Sequence, residues 1–325
     1  MANIYFDNDA DINVIKDKVL SFIGYGNQGR AQALNLRDSG VRNIIVGNIE
    51  DRYFQQAKND NFEVYSIEEA IKKGDILFIL IPDEFAPEIY KNKIEPYLQT
   101  NKVLNFASGY NITFNLIIPP KYCDVIMVAP RMIGQGVREL YLSNEGFPSF
   151  LAVKNDISGK AKDIALGISR GIGATKRGVV EVSFEDETYL DLIAEQATWP
   201  LIITVFTEVY NFLLEKGHPA EAILMELYLS KEPAIIFEKM ADVGFFKQLL
   251  LHSHTSQYGQ LSRFDKIDKK YFKDFIKEQY ENIVSGNFYR EWHQVKRNNL
   301  EELKKLYLKA INSNLSKSES ILKSK

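Results

Sequence analysis

The chain has 325 residues, 45% of them hydrophobic, which exceeds the usual size of one core and can fill two. Its 40 basic and 43 acidic residues leave a net charge of −3, with no electrostatic footprint for nucleic acid or an anionic membrane. Cys123 is the single cysteine, so no internal disulfide forms and the chain suits a reducing compartment. The first residues lack a basic segment followed by an apolar one, and no uninterrupted apolar stretch approaches the ~20 residues of a membrane span. The expectation is a cytoplasmic protein with neither nucleic-acid nor membrane partners.

Near the start, the apolar run Val19–Ile23 breaks into Gly24-Tyr25-Gly26-Asn27-Gln28-Gly29 and then into the helical stretch Arg30–Leu36. A strand before the glycines and a helix after them make this a dinucleotide-binding turn. Gly24 allows the tight exit, Gly26 lets the backbone approach a pyrophosphate, and Gly29 lets the helix pack on the sheet. The helix N-terminus offers free N–H groups to the phosphates. About 20 residues further on, Asn43–Val46 predicts a second strand, followed by Gly47-Asn48-Ile49-Glu50-Asp51-Arg52. The acidic Glu50 and Asp51 suit ribose hydroxyls and repel a 2′-phosphate, with Arg52 as the opposing cation. That predicts NADH use at least as good as NADPH use.

Further strands are expected at Asp75–Ile81, Lys102–Phe106, Asp124–Ala129 and Ser149–Val153. Continuous apolar runs such as Ile76–Ile81 indicate strands buried on both faces, hence a parallel sheet between helices. Beyond Val182 the texture becomes helical, over Leu190–Leu214, Pro219–Tyr228, Ala234–Leu251, Lys270–Ser285 and Asn299–Ile311. Asn312–Lys325, rich in Ser and Lys, reads as a fraying tail. Asp191 and Glu195 stand four apart, on one helix face, which reads either as a solvated acidic face or, since Leu192, Ile193, Ala197 and Trp199 are too apolar for a face fully open to water, as a site where a shared cation relieves their repulsion. Carboxylate oxygens with waters and substrate are what Mg²⁺ takes, and Glu226 is a possible third ligand.

Together these segments resemble ketol-acid reductoisomerase, the acetohydroxyacid isomeroreductase of branched-chain amino-acid biosynthesis, in its short class I form. The likeness runs from Ile4 to about Trp292. It includes Tyr5-Phe6-Asp7-Asn8-Asp9-Ala10-Asp11, the glycine loop, Pro82-Asp83-Glu84, Ala129-Pro130-Arg131 and Phe184-Glu185-Asp186-Glu187-Thr188. It continues through Asp191–Gln196, Tyr258-Gly259 and Ser285-Gly286-Asn287-Phe288. The resemblance implies an α/β Rossmann domain over residues 1–182, followed by an all-α, interlocked C-terminal domain over 183–311 that serves metal, substrate and dimerisation. The implied reaction is Mg²⁺-dependent alkyl migration in 2-acetolactate and hydride reduction from NAD(P)H to 2,3-dihydroxyisovalerate, in a homodimer or higher homo-oligomer.

Carried onto this chain, the resemblance implies cofactor contacts from Gly24, Tyr25, Gly26, Asn27, Gln28, Gly29, the Asp83-Glu84-Phe85-Ala86 segment and Gly134, beside Glu50 and Arg52. Asp191, Glu195 and Glu226 would hold metal, and Ser253 would touch substrate. Several positions depart from the family pattern. Ser108 stands in place of a histidine, Arg131 in place of a lysine and Ser230 in place of a carboxylate, while Gln135 and Gln257 replace a histidine and a glutamate. Ser108 and Arg131 are the candidate catalytic residues. On a continuing helix Glu232 would lie ~240° round from Glu226 and would not replace the missing carboxylate. His252 and His254 flank Ser253 on an expected loop. One firm Mg²⁺ site and a doubtful second one follow. An alternative stays open at this point: a paralogue without isomerase activity, working as an NAD(P)H-dependent 2-keto-acid reductase or as a silent subunit.

Overall fold

The apolar runs become the centre of a nine-stranded sheet in the computed structural model, which describes residues 2–323. The strands are β1 (Ile4–Tyr5), β2 (Leu20–Ile23), β3 (Ile44–Gly47), β4 (Glu63–Tyr65), β5 (Ile76–Ile79), β6 (Val103–Phe106), β7 (Asp124–Pro130), β8 (Ser149–Asn155) and β9 (Val179–Glu181). Their order is β1-β9-β8-β7-β6-β5-β2-β3-β4. β2 pairs in parallel with both β3 and β5, Leu20 facing Ile44 on one side and Ile76 on the other. Parallel pairing extends to β4 and to β7, whereas β8 is antiparallel to β7 and β1 to β9. Every residue of β2, β3, β5, β6 and β7 is buried, as strands covered on both faces require.

Helices α1 (Asn13–Lys16), α2 (Asn27–Asp38), α3 (Arg52–Asn59) and α4 (Ile67–Lys73) come from the first half of the unit. Local chemistry sets their starts. Asp51 caps α3 by accepting from the Tyr53 and Phe54 amides, and Ser66 and Glu69 form a capping box on α4. One face of the sheet buries Phe22 stacked on Phe78, ring centroids 4.2 Å apart, and the other buries Ile23, Ile71 and Leu77. Between β2 and β5 the chain order reverses. At such a switch point the loops leaving neighbouring strands diverge and open a crevice at their carboxyl ends.

Residues 1–190 and 191–325 form two compact units, with the division inside the helix Phe184–Ile193. The second unit is helical throughout its described residues. Three of its helices were not expected: His254–Lys266, Asn287–Arg297 and Asn314–Lys323. The last corrects the fraying tail. Its Leu315 and Leu322 pack against Tyr210, Ile223 and Leu224, the Ser318 hydroxyl lies 2.8 Å from that of Tyr210, and the Tyr228 hydroxyl donates to Glu319 at 2.5 Å. Residues 324 and 325 of that tail lie outside the described residues.

Phe184–Glu215 is one helical stretch of 32 residues containing a window of mean hydropathy 1.3, long and apolar enough to cross a membrane by length and composition. Its apolar runs are nonetheless short, because Gln196, Thr198, Thr204, Thr207 and Glu208 interrupt them, as expected from the absence of any long uninterrupted apolar stretch.

Candidate active site

The glycine loop occupies the switch point. Gly24 has φ +101°, and a Cβ there would stand 2.5 Å from the Leu80 carbonyl oxygen at the end of β5. A Cβ on Gly29 would stand 2.3 Å from the Gly24 carbonyl oxygen. Gly26 differs: a Cβ there would meet nothing within 4 Å. It is the N-cap of α2 with no side-chain cap, so the first amides of that helix are left for a ligand.

In front of the loop lies a cavity of about 740 Å³, walled by the segments that follow β2, β3, β5 and β6. Because β3 and β6 flank the central pair, Asn48, Asp51 and Tyr53 stand at one end and Phe106, Ala107 and Ser108 at the other. Gly24, Tyr25, Gly26, Asn27 and Gln28 form the floor, with Asp83, Phe85 and Ala86 opposite. Gly29, Glu50, Arg52 and Glu84 do not line it. Gly134 lines a smaller neighbouring cavity of about 380 Å³ together with Gly26 and Asn27.

Several side chains expected to meet a cofactor are already engaged. Gln28 donates to the Met132 carbonyl at 2.8 Å, and Asp83 accepts from Asn111 at 2.8 Å. The Arg52 guanidinium lies on the Tyr53 ring, 4.6 Å from its centroid, and donates to the Tyr53 hydroxyl at 2.6 Å. Asp51 receives Asn48, Tyr53 and Phe54 on one carboxylate oxygen at 2.8, 2.9 and 3.0 Å. Tyr25 is 1% exposed, and its hydroxyl donates to Asp60 at 3.0 Å. Burial, reinforced by that bond, pushes the phenol well above its ordinary pKa, while the Arg30 guanidinium holds Asp60 below the usual carboxylate range.

At the β6 end, Arg131 pairs with Glu187 at 2.8 Å, and the second Glu187 oxygen accepts the Gly109 amide at 2.6 Å. Glu187 is 1% exposed, so a buried carboxylate joins the turn after β6 to the residue that follows β7. The sequence reading missed Glu187 in this role, and with it Asn48, Tyr53 and Asn111 of the cavity wall. The one usable signal was that each follows or faces the end of a parallel strand.

Residues 14–178 match the family described as acetohydroxy acid isomeroreductase, NADPH-binding domain, and residues 184–325 match the ketol-acid reductoisomerase C-terminal domain. The chain belongs to the ketol-acid reductoisomerase family. Ketol-acid reductoisomerase (NADP(+)) of Pyrococcus abyssi is 41% identical over 293 residues, covering 90% of this chain and 88% of that protein. Its counterpart from Petrotoga mobilis is 40% identical with the same coverage. The solved NADH-preferring ketol-acid reductoisomerase from an uncultured archean superposes with a TM-score of 0.93 at 34% identity, covering 99% of this chain and 98% of that one. As a member of that family the chain is an NAD(P)-dependent oxidoreductase with a Rossmann-type cofactor domain and a helical C-terminal domain.

In the helical unit, Asp191 lies in the regular helix Phe184–Ile193, whereas the other two expected metal-binding residues sit at irregular helix. Ala194–Thr198, containing Glu195, and Met225–Leu229, containing Glu226, are π-helical turns, a form enriched at functional sites. Among the described residues no three His, Cys, Asp or Glu side chains gather into a metal site, so one chain does not bring Glu226 to Asp191 and Glu195. Asp191 and Glu195, two carboxylates four residues apart, suit Mg²⁺ by donor chemistry. Ser230 ends its helical segment and accepts the Glu232 amide at 3.3 Å, and Lys231 at φ +64° starts a separate helix at Glu232. The angular argument from a continuing helix therefore does not apply to Glu232.

Ser253 caps His254–Lys266, accepting from the Ser256 amide at 3.3 Å, so His254 begins a helix instead of lying in a loop. His252 lies 3.1 Å from Gln248, and Gln257 donates to the His252 carbonyl at 2.8 Å. Gln135 donates to Glu139 at 2.7 Å.

Proposed function

We propose that this enzyme converts 2-acetolactate, or its 2-aceto-2-hydroxybutyrate homologue, to the corresponding 2,3-dihydroxy acid by Mg²⁺-dependent alkyl migration and hydride reduction. The observation that carries the reading is the cavity over the uncapped N-terminus of α2, in a chain whose two halves both match the family. The amides of Asn27, Gln28 and Gly29 hold the pyrophosphate, and Gly26 lets it approach. Asp51, with one oxygen filled by the Tyr53 and Phe54 amides and the Asn48 side chain, would turn the other to the adenosine ribose hydroxyls. Arg52, laid on Tyr53, does not offer itself to a 2′-phosphate, so NADH serves at least as well as NADPH. At the β6 end the Ser108 hydroxyl would hold a proton for the substrate oxygen beside a bound nicotinamide, and Arg131 with Glu187 fixes the turn that presents Ser108.

Asp191 and Glu195 hold the metal, with Glu226 supplied by a second copy of the chain, and Ser253 contacts substrate. When bound, Mg²⁺ supplies Lewis-acid polarisation of the substrate ketone and stabilises the developing alkoxide. A homodimer also covers the apolar helix surface, where Trp199, Ile203, Val205 and Phe212 are all more than half exposed in the single chain. We place the enzyme in the cytoplasm. Acetolactate-driven NADH oxidation, titrated with Mg²⁺, tests the assignment. Asp191→Asn and Glu195→Gln are expected to lose the response to Mg²⁺, and variants that respond within twofold of the parent would remove these carboxylates from the metal site.

A further inference from the structure

We infer that Tyr25, Asp60 and Arg30 form a clamp that sets the position of α3, and through α3 the adenosine end of the cofactor cavity. The inference rests on the reading that this cavity takes the dinucleotide with its adenosine ribose at Asp51.

Tyr25 stands between Gly24, which turns the chain out of β2, and Gly26, whose backbone meets the pyrophosphate, yet its side chain serves another purpose. The ring is buried edge-on against Phe62, centroids 5.8 Å apart, and the hydroxyl reaches Asp60 at 3.0 Å. Asp60 is the C-cap of α3. Its carboxylate also receives Arg30 of α2 through Nε at 2.7 Å and Nη2 at 3.1 Å, a two-pronged contact of the kind that fixes geometry as well as charge. The Asp60 carbonyl accepts Arg37 at 2.5 Å, and the Arg37 guanidinium covers Phe62, 4.8 Å from its centroid.

One end of α3 is therefore tied to the glycine loop and to two turns of α2. The opposite end of the same eight-residue helix carries Asp51, Arg52 and Tyr53. A short helix anchored at its C-terminus transmits any tilt to its N-terminus, so the clamp sets how far Asp51 and Tyr53 stand from Gly26. None of these contacts reaches the Ser108 end of the cavity. Tyr25, Asp60 and Arg30 are positioning residues for one half of the cofactor and not for the reacting centre.

The separation of the two halves supplies the test. Tyr25→Phe removes only the hydroxyl, and Asp60→Asn keeps the shape while removing the charge. Steady-state kinetics with NADH, competitive inhibition by ADP-ribose, and turnover with reduced nicotinamide mononucleotide, which lacks the adenosine half, are compared across the parent, both variants and the double variant. The inference predicts that KM for NADH and Ki for ADP-ribose rise together, by about fivefold in Tyr25→Phe and more in Asp60→Asn. It also predicts kcat at saturating NADH within twofold of the parent, kcat/KM for the mononucleotide within twofold, and a double variant no worse than Asp60→Asn.

Unchanged KM and Ki in both single variants would overturn it. So would an equal loss with the mononucleotide, since a general loosening of the fold affects both halves alike. If ADP-ribose fails to compete with NADH in the parent, the failure lies in the placement of adenosine at Asp51, and the inference falls with that reading.

Discussion

Glu187 holds Arg131 at 2.8 Å with one oxygen and the Gly109 amide at 2.6 Å with the other, although the two ends of the acid's contacts lie 56 and 78 residues away in the chain. With Glu187 almost wholly buried, removing the arginine strands a carboxylate away from water. Arg131→Met is expected to cost about 3 kcal/mol, whereas Arg131→Met with Glu187→Leu should cost distinctly less, because no buried charge remains. Thermal melts of the three proteins decide the matter. Equal losses in the single and double variants would mean that the pair is not what holds this turn.

The two glycines that bracket the start of α2 should separate binding from folding. Gly26→Ala puts a methyl group into open cavity space and should leave the melting temperature nearly unchanged while raising KM for NADH about tenfold or more. Gly29→Ala drives a methyl group to 2.3 Å from a carbonyl oxygen and should lower the melting temperature by roughly 5 °C or more. The reverse pattern would contradict the assignment of Gly26 to the ligand side.

Glu181 gives a pH dependence. Bonds from Asn3, Lys162 and Tyr5 pull its pKa down to about 2 from an ordinary 4.5. A carboxylate depressed by folding contributes stability that is full above its unfolded pKa and disappears as pH falls through the folded one. The parent should therefore melt higher than Glu181→Gln at pH 7, with the difference shrinking between about pH 4.5 and pH 2. A difference that stays constant across that window would show the contacts to be indifferent to charge.

Cofactor preference tests the β3 end of the cavity. Relatives of this chain include both an NADP(+) enzyme and an NADH-preferring one, so ancestry leaves the choice to local residues. With Arg52 held on Tyr53 and Asp51 lining the cavity, the proposed ribose contact predicts that kcat/KM for NADH equals or exceeds that for NADPH. A tenfold preference for NADPH would mean that Arg52 leaves the Tyr53 ring and binds the 2′-phosphate.

Much of the cofactor unit was legible because its signals are local. A strand, three spaced glycines and a helix lie within 20 consecutive residues, and buried runs such as Ile76–Ile79 announce a parallel sheet. β4 escaped because it has only three residues, with Glu63 exposed. The helix His254–Lys266 escaped because Tyr258, Leu261 and Phe264 are its only large apolar residues and Gly259 interrupts its propensity. In the site, what stayed hidden depends on distant partners. Tyr25 is read from its neighbours as a cofactor contact, but Asp60, 35 residues on, determines where its hydroxyl goes. Glu187 sits in a recognisable motif, yet its function is defined by Gly109 and Arg131. The proposed metal residues were legible only as a spacing, since among the described residues one chain does not bring Glu226 to the pair.

The central claim is that the chain performs both halves of the ketol-acid reductoisomerase reaction despite Ser108 and Ser230. The direct measurement is NADH oxidation by the purified protein with Mg²⁺, first with 2-acetolactate and then with the already isomerised 3-hydroxy-3-methyl-2-ketobutyrate. The account predicts Mg²⁺-dependent turnover of both, with acetolactate the slower because a carboxylate is missing at Ser230 and the migration needs charge stabilised on two oxygens. Turnover of the isomerised acid with none of acetolactate would contradict it, leaving a reductase on a reductoisomerase fold.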